Sequence, residues 1–194
     1  AFNYLIMGTI GATFFVIGVG FLYAATGTLN MADIAARIAT LTDSRAVQAG
    51  FAFIVVGLGL KAAVFPLHGW LPGAYAHAPS LIAVFLSATA TKAAIYLLAR
   101  FVFTVFDPAA EFTHAFLFWI LAPLAGAAAI VCSIQAVFEP ELRRMLAFSS
   151  VAQVGYMLMG LSLASLAGLS AGLMHLTAHA TMKAALFMAL GGLA

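Results

Sequence analysis

Apolar residues run through this chain in long stretches, and the polar residues that interrupt them fall into two kinds. Clusters of Gly, Pro, Asp, Glu and Arg separate the stretches, while isolated lysines, histidines and hydroxyls sit inside them. The first kind sets the elements. Apolar runs of about 20 residues match the hydrocarbon core of a bilayer as helices. A helix satisfies its own backbone hydrogen bonds there, which an open strand cannot do. The pattern predicts about six spans, over 2–25, 48–71, 81–106, 114–138, 142–163 and 166–194. Thr26-Gly27-Thr28 stops the first. Pro72, Gly73 and Pro79 mark the connection after the second, and Asp107-Pro108 closes the third. Glu139-Pro140-Glu141 separates the fourth from the fifth. Pro66 interrupts the second span and Pro123 lies inside the fourth. Between the first two spans, Asp33, Arg37 and Asp43 point to a short helix in the membrane interface.

Composition sharpens the class. Of 194 residues, 65% are hydrophobic and 7% charged, against about 25% charged in a soluble domain. So few charges cannot cover a water-facing surface, and the chain is read as an all-α integral membrane protein. A formal net charge of +2 gives no reason to expect nucleic acid. The single cysteine, Cys132, allows no internal disulfide and reads as a buried, inert thiol. The chain is hydrophobic from Phe2, shows no signal peptide, and is still apolar at its end. It reads as an internal piece of a longer multi-pass protein. Arg37, Arg45 and Arg100 collect on one side and Arg143 and Arg144 on the other, which leaves orientation open. Gly8, Gly11 and Gly18, and the pair Gly168 and Gly172, offer close helix approach in lipid.

The polar residues inside the spans carry the chemistry. All three lysines open one pattern: Lys61-Ala-Ala-Val-Phe, Lys92-Ala-Ala-Ile-Tyr and Lys183-Ala-Ala-Leu-Phe. A lysine at the centre of a membrane helix costs roughly 2.5–3.5 kcal/mol on insertion scales. Lys61 lies about 11 residues, or roughly 16 Å, from either end of its span, too deep for easy snorkelling. Pro66 follows it. A proline there removes one N–H and clashes with the carbonyl of Ala62. A broken helix at that depth needs protein or a water-lined cavity around it. His68 would share the Lys61 face of a straight helix. Lys92 is similarly deep in the third span. For both lysines the bland alternative is a static ion pair that locks helices together.

His175, His179 and Lys183 recur at i, i+4 and i+8, on one face of the last helix. Two imidazoles and an amine in a row suit proton relay, because histidine titrates near neutral pH. Metal binding is a rival, weakened by the adjacent lysine and the lack of carboxylate or cysteine ligands. Simple hydrogen bonding to backbone is another. Ser149, Gln153 and Tyr156 share a face of the fifth span and suit either ordered water or interhelical hydrogen bonds. None of Asp33, Asp43, Asp107, Glu111, Glu139 and Glu141 lies at membrane depth. The counter-charge for the lysines is therefore expected from outside these residues.

Four segments carry a family resemblance. Gly57-Leu-Gly-Leu-Lys61-Ala-Ala-Val-Phe-Pro66-Leu-His68-Gly-Trp70-Leu-Pro72, followed by Ala78-Pro79-Ser80, resembles the broken helix of the antiporter-like subunits shared by respiratory complex I and Mrp-type cation/proton antiporters. Ser87-Ala-Thr-Ala-Thr-Lys92 resembles the helix after it. Glu141-Leu-Arg143-Arg144 through Ser149-Ser150-Val-Ala-Gln153-Val-Gly155-Tyr156, and His175 through Phe187, resemble the next two family segments, in the family's order. The resemblance implies a fourteen-helix fold of two inverted repeats, each with one broken helix. This chain would supply the sixth to eleventh helices. It implies a central lysine at Lys61, a connecting lysine at Lys92, relay residues at His175, His179 and Lys183, and a break at Pro66. A glutamate on a preceding helix would pair with Lys61.

Gly73 stands where the family usually has Asp, and His77 where it often has Glu. With Gly27-Thr-Leu-Asn-Met-Ala-Asp33 these favour the D-type component of an Mrp antiporter, exchanging Na+ or K+ for protons. The alternative is a proton-pumping membrane-arm subunit of an NADH:quinone oxidoreductase or related membrane hydrogenase. A scaffold with structural lysines is the third reading. No cofactor is expected in this chain, so any redox centre would sit in a partner. The expected partners are other membrane subunits in a bacterial plasma membrane.

Overall fold

The structure, a computed structural model, describes residues 2–41 and 44–192. Asp43 and the last two residues of the sixth predicted span lie outside the described residues. The described residues form helices joined by short connections, with no strand among them. Helix α1 (Phe2–Thr26) is followed by the short α2 (Met31–Ile38) and by α3 (Arg45–Ala62). A second short helix, α4 (Leu71–His77), precedes α5 (Ser80–Val105), α6 (Glu111–Phe138), α7 (Leu142–Ser162) and α8 (Leu166–Gly192).

Five helices, α1, α3, α5, α6 and α7, are long and apolar enough to cross a membrane. Six spans were expected. Helix α8 is 27 residues long, yet its histidines, lysine and threonines leave it less apolar than the other five. It buries His179 and Lys183 against α5 and α7 and leaves the threonines exposed.

The second expected span does not kink at Pro66. Helix α3 stops at Ala62, four residues earlier, in a Schellman turn. Ala63 takes a left-handed conformation (φ 56°), its N–H donates to the Leu60 carbonyl, and the Val64 N–H donates to Gly59 at 2.9 Å. The expected clash with the Ala62 carbonyl never arises, because the helix has ended before the proline. The Phe65–Pro66 peptide bond is cis. Residues 63–70 form the break and α4 resumes beyond it.

Pro123 is accommodated differently. A π-helical turn at Leu117–Leu121 precedes it, widening the coil where the proline ring would meet the preceding turn. Helix α5 carries two such turns, Leu86–Ala90 and Phe101–Val105.

Helices α1 and α3 pack through glycine. A Cβ on Gly57 would lie 2.7 Å from both the Gly11 carbonyl and the Phe15 nitrogen, and one on Gly18 would lie 2.8 Å from the Gly50 carbonyl. Gly8 is different, with nothing within 4 Å of its would-be Cβ. Gly168 meets Gly160 of α7 rather than acting with Gly172 alone. The interfacial α2 is capped by Asn30, whose Oδ1 accepts from Ala32 at 2.9 Å, and the Arg37 guanidinium donates to the Thr26 carbonyl at 2.6 Å.

Candidate functional site

Two of the three lysines are buried together. Lys92 follows directly on the first π turn of α5, and its ammonium donates to the Ser87 carbonyl. It is 3% exposed. Lys183 of α8 is 1% exposed, and its Nζ donates across to the Leu146 carbonyl of α7 at 2.8 Å. One helical turn earlier, His179 is 0% exposed and neither ring nitrogen has a hydrogen-bond partner among the described residues. Lys92, Lys183 and His175 are all electrostatic neighbours of His179. Helices α5, α7 and α8 thus bring Lys92, His179 and Lys183 into one enclosed cluster.

His175 extends this row. Its ring lies 6.2 Å from that of His179, near parallel, and its Nε2 is 2.7 Å from Gln153 Oε1 on α7. Tyr156 presents its ring to His175 edge-on at 6.4 Å. Of the polar trio on α7, Gln153 and Tyr156 meet the histidine row. Ser149 is half-buried and makes no hydrogen bond to the described residues, while its neighbour Ser150 is buried and donates to the Leu146 carbonyl at 2.8 Å.

The cluster contains no acid. The ion pair found among the described residues is Arg144–Glu139, at 3.7 Å and away from the lysines. Main-chain carbonyls hold both buried ammonium groups instead. The static ion pair considered from sequence for Lys61 and Lys92 is therefore not formed among the described residues. Positive charges gathered in a low-dielectric interior repel one another, so the cluster disfavours full protonation. No group of three or more His, Cys, Asp and Glu fit to hold a metal occurs among the described residues.

Lys61 stands apart. It sits in the last turn of α3, is exposed, and has no hydrogen-bond or ion-pair partner among the described residues. It lines a cavity of about 370 Å³ with Tyr4, Gly8, Thr9, Trp70 and Ala90. Ala90 is two residues from Lys92, so the cavity reaches the helix that carries the buried cluster. His68 does not join Lys61, because the break turns it elsewhere. Its Nε2 lies 3.8 Å from Cys132 Sγ on α6, and its ring stacks on Phe65 at 5.3 Å.

Two residues that the sequence did not single out complete the site. The Trp70 indole N–H donates to the Leu60 carbonyl at 2.9 Å, giving that end of α3 a partner. The Tyr75 hydroxyl donates to the Leu86 carbonyl at 3.2 Å. Only the Trp-Leu-Pro signature hinted at the first. The second is a tertiary contact with no local signal.

The family profile described as NADH:quinone oxidoreductase/Mrp antiporter, transmembrane, matches residues 1–194. The chain belongs to this family. A relative from Desulforudis audaxviator, the N subunit of an NADH-quinone oxidoreductase, is 44% identical over 99% of this chain and 38% of its own length. Another from Alkalihalophilus pseudofirmus, the D subunit of a Na(+)/H(+) antiporter, is 31% identical over 97% of this chain and 38% of its own. A chain in the structure of the Mrp complex from Dietzia sp. superposes with a TM-score of 0.87 at 35% identity, over 97% of this chain and 34% of that one. The chain thus spans under two-fifths of the length of these relatives. The preference for the D type that rests on Gly73, His77 and the segment from Gly27 to Asp33 is not favoured, since the N-type relative is the more similar of the two by 44% to 31%. A membrane subunit of the antiporter-like family is common ground between them.

Proposed function

We propose that this chain forms part of the proton path of a proton-pumping membrane-arm subunit in an NADH:quinone oxidoreductase-type assembly. Lys61, Lys92, His179, Lys183 and His175 would carry protons, with Gln153 and Tyr156 supporting His175. The observation that carries the reading is the enclosed cluster of Lys92, His179 and Lys183, which has no carboxylate beside it among the described residues. A structural role would be served better by a carboxylate beside each amine. Charges left unpaired at membrane depth cost free energy that function has to justify. The cavity at Lys61 gives water or an acidic group from the rest of the protein access to the first station. The redox centre would belong to partner subunits, and the bacterial relatives support a bacterial plasma membrane.

The test replaces Lys92 by Met in the intact assembly, reconstituted in vesicles, with proton flux followed by an internal pH dye. Flux should fall roughly tenfold or more, the scale of losing a proton-transfer group, with assembly retained. Normal flux would sink the proposal.

A second reading is the D-type component of a cation/proton antiporter, supported by the likeness to the Mrp complex. It predicts proton movement driven by a Na+ or K+ gradient without electron transfer. The N-type reading predicts flux only during quinone reduction.

A further inference from the structure

Two consecutive carbonyls in the first π turn of α5 take side-chain donors from different places. The Leu86 carbonyl accepts the Tyr75 hydroxyl at 3.2 Å. The next one, Ser87, accepts the Lys92 ammonium. A π turn shifts the backbone ladder from i+4 to i+5, and in this one both carbonyls also accept from side chains. Tyr75 comes from α4, the helix beyond the break. It is 1% exposed, and its ring packs edge-on against Phe187 of α8, centroids 5.5 Å apart. The hydroxyl also faces the buried hydroxyl of Thr91, the residue before Lys92, so it sits directly against the turn that carries the lysine.

We propose that Tyr75 is a positioning residue for Lys92: by occupying the Leu86 carbonyl it leaves Ser87 as the ammonium's main-chain acceptor, and so fixes Lys92 in place beside His179. This rests on the reading of Lys92 as a proton carrier. Without the hydroxyl, Lys92 has two neighbouring carbonyls to choose from. Its charge then divides between two positions, and transfer to His179 requires a search. The contact also joins the break, on whose other side Lys61 sits, to the second lysine. A shift of α4 that withdrew the hydroxyl would hand Leu86 to Lys92 and move the charge along α5. Ordinary packing does not account for this arrangement, because a phenylalanine at position 75 would fill the same space against Phe187.

The experiment compares Tyr75→Phe and Lys92→Met in the intact assembly in vesicles, with the pH profile of proton flux and electron-transfer or cation-exchange activity read together. Tyr75→Phe should lower proton flux roughly fivefold, the equivalent of one net hydrogen bond, with assembly unchanged. A freed Lys92 should also shift the pH profile of the flux, which a merely structural change would leave in place. Unchanged flux in Tyr75→Phe, with Lys92→Met inactive, overturns the positioning role and leaves the proton path standing. Unchanged flux in Lys92→Met overturns the proton path itself. Loss of assembly in Tyr75→Phe, or lowered flux with an unshifted pH profile, makes Tyr75 a strut, which also overturns the proposal. A high-resolution map of the unsubstituted assembly gives a readout that needs no variant. It should show the hydroxyl on Leu86 and the ammonium on Ser87; the hydroxyl bonded elsewhere overturns the inference.

Discussion

At the scale of single residues, His179 separates stability from function most cleanly. A buried imidazole with both nitrogens unpartnered costs about 1–3 kcal/mol of desolvation. His179→Leu removes that cost in a similar volume. Thermal stability of the solubilised assembly should stay level or rise, while proton flux falls. Flux that survives the change would remove His179 from the path. Ala63 is the converse case, a residue that strains the backbone for position. It holds φ at 56°, where a Cβ costs roughly 1–2 kcal/mol. Ala63→Gly relieves the strain but loosens the unfolded chain, so a net gain of up to ~1 kcal/mol in unfolding free energy is expected. Calorimetry on the purified assembly reads it. Most of the chemistry at this scale was legible in the sequence, because a lysine or histidine inside an apolar run announces itself by its cost. Trp70 and Tyr75 were not, since aromatic residues are ordinary in membrane helices and their polar tips matter only once a carbonyl is placed opposite.

Helices in lipid associate through close backbone approach rather than through a hydrophobic difference. The α1–α3 pair shows this, and glycine position decides it. Gly57→Val puts side-chain atoms where the Gly11 carbonyl and the Phe15 nitrogen already stand, and backbone cannot move aside cheaply. Destabilisation of ~1–3 kcal/mol is expected, read by denaturant unfolding in detergent. Gly8→Ala, with open space around it, should be neutral or stabilising by ~0.5–1 kcal/mol through helix propensity. Sequence alone ranks these glycines alike. The contact partner across the interface makes the difference. The break in the second span is a related lesson. Pro66 signalled it correctly, but the helix ends by its own Schellman turn at Ala63, and the proline follows an end already made.

Across the whole molecule, distant connections are tied at one end. The Arg143 guanidinium at the start of α7 donates to the Ala78 carbonyl at 3.2 Å and to the Ser80 hydroxyl at 3.1 Å. Ser80 also faces Gly191 of α8, whose would-be Cβ lies 2.9 Å from the serine Cβ. The junction between α4 and α5 is thereby fixed to both later helices, near the Tyr75 contact. Arg143→Met should lower stability by ~1–3 kcal/mol, the cost of leaving partners unpaired. Arg143→Lys should recover only part, because one ammonium cannot reproduce the guanidinium fork. A melting series on the two variants checks this.

The amino-acid sequence by itself determined the helical membrane class, the rough extent of the helices and the residue types that carry charge into the bilayer. Each of these follows from the free energy of moving single groups between water and hydrocarbon, which is local. The three Lys-Ala-Ala segments looked alike on that basis. Only the tertiary structure divided them, enclosing Lys92 and Lys183 with His179 and leaving Lys61 at an open cavity. It also decided that carbonyls, not carboxylates, hold the buried amines. Which groups meet across a bundle depends on where helices break, widen and touch, and those contacts join residues far apart in the chain.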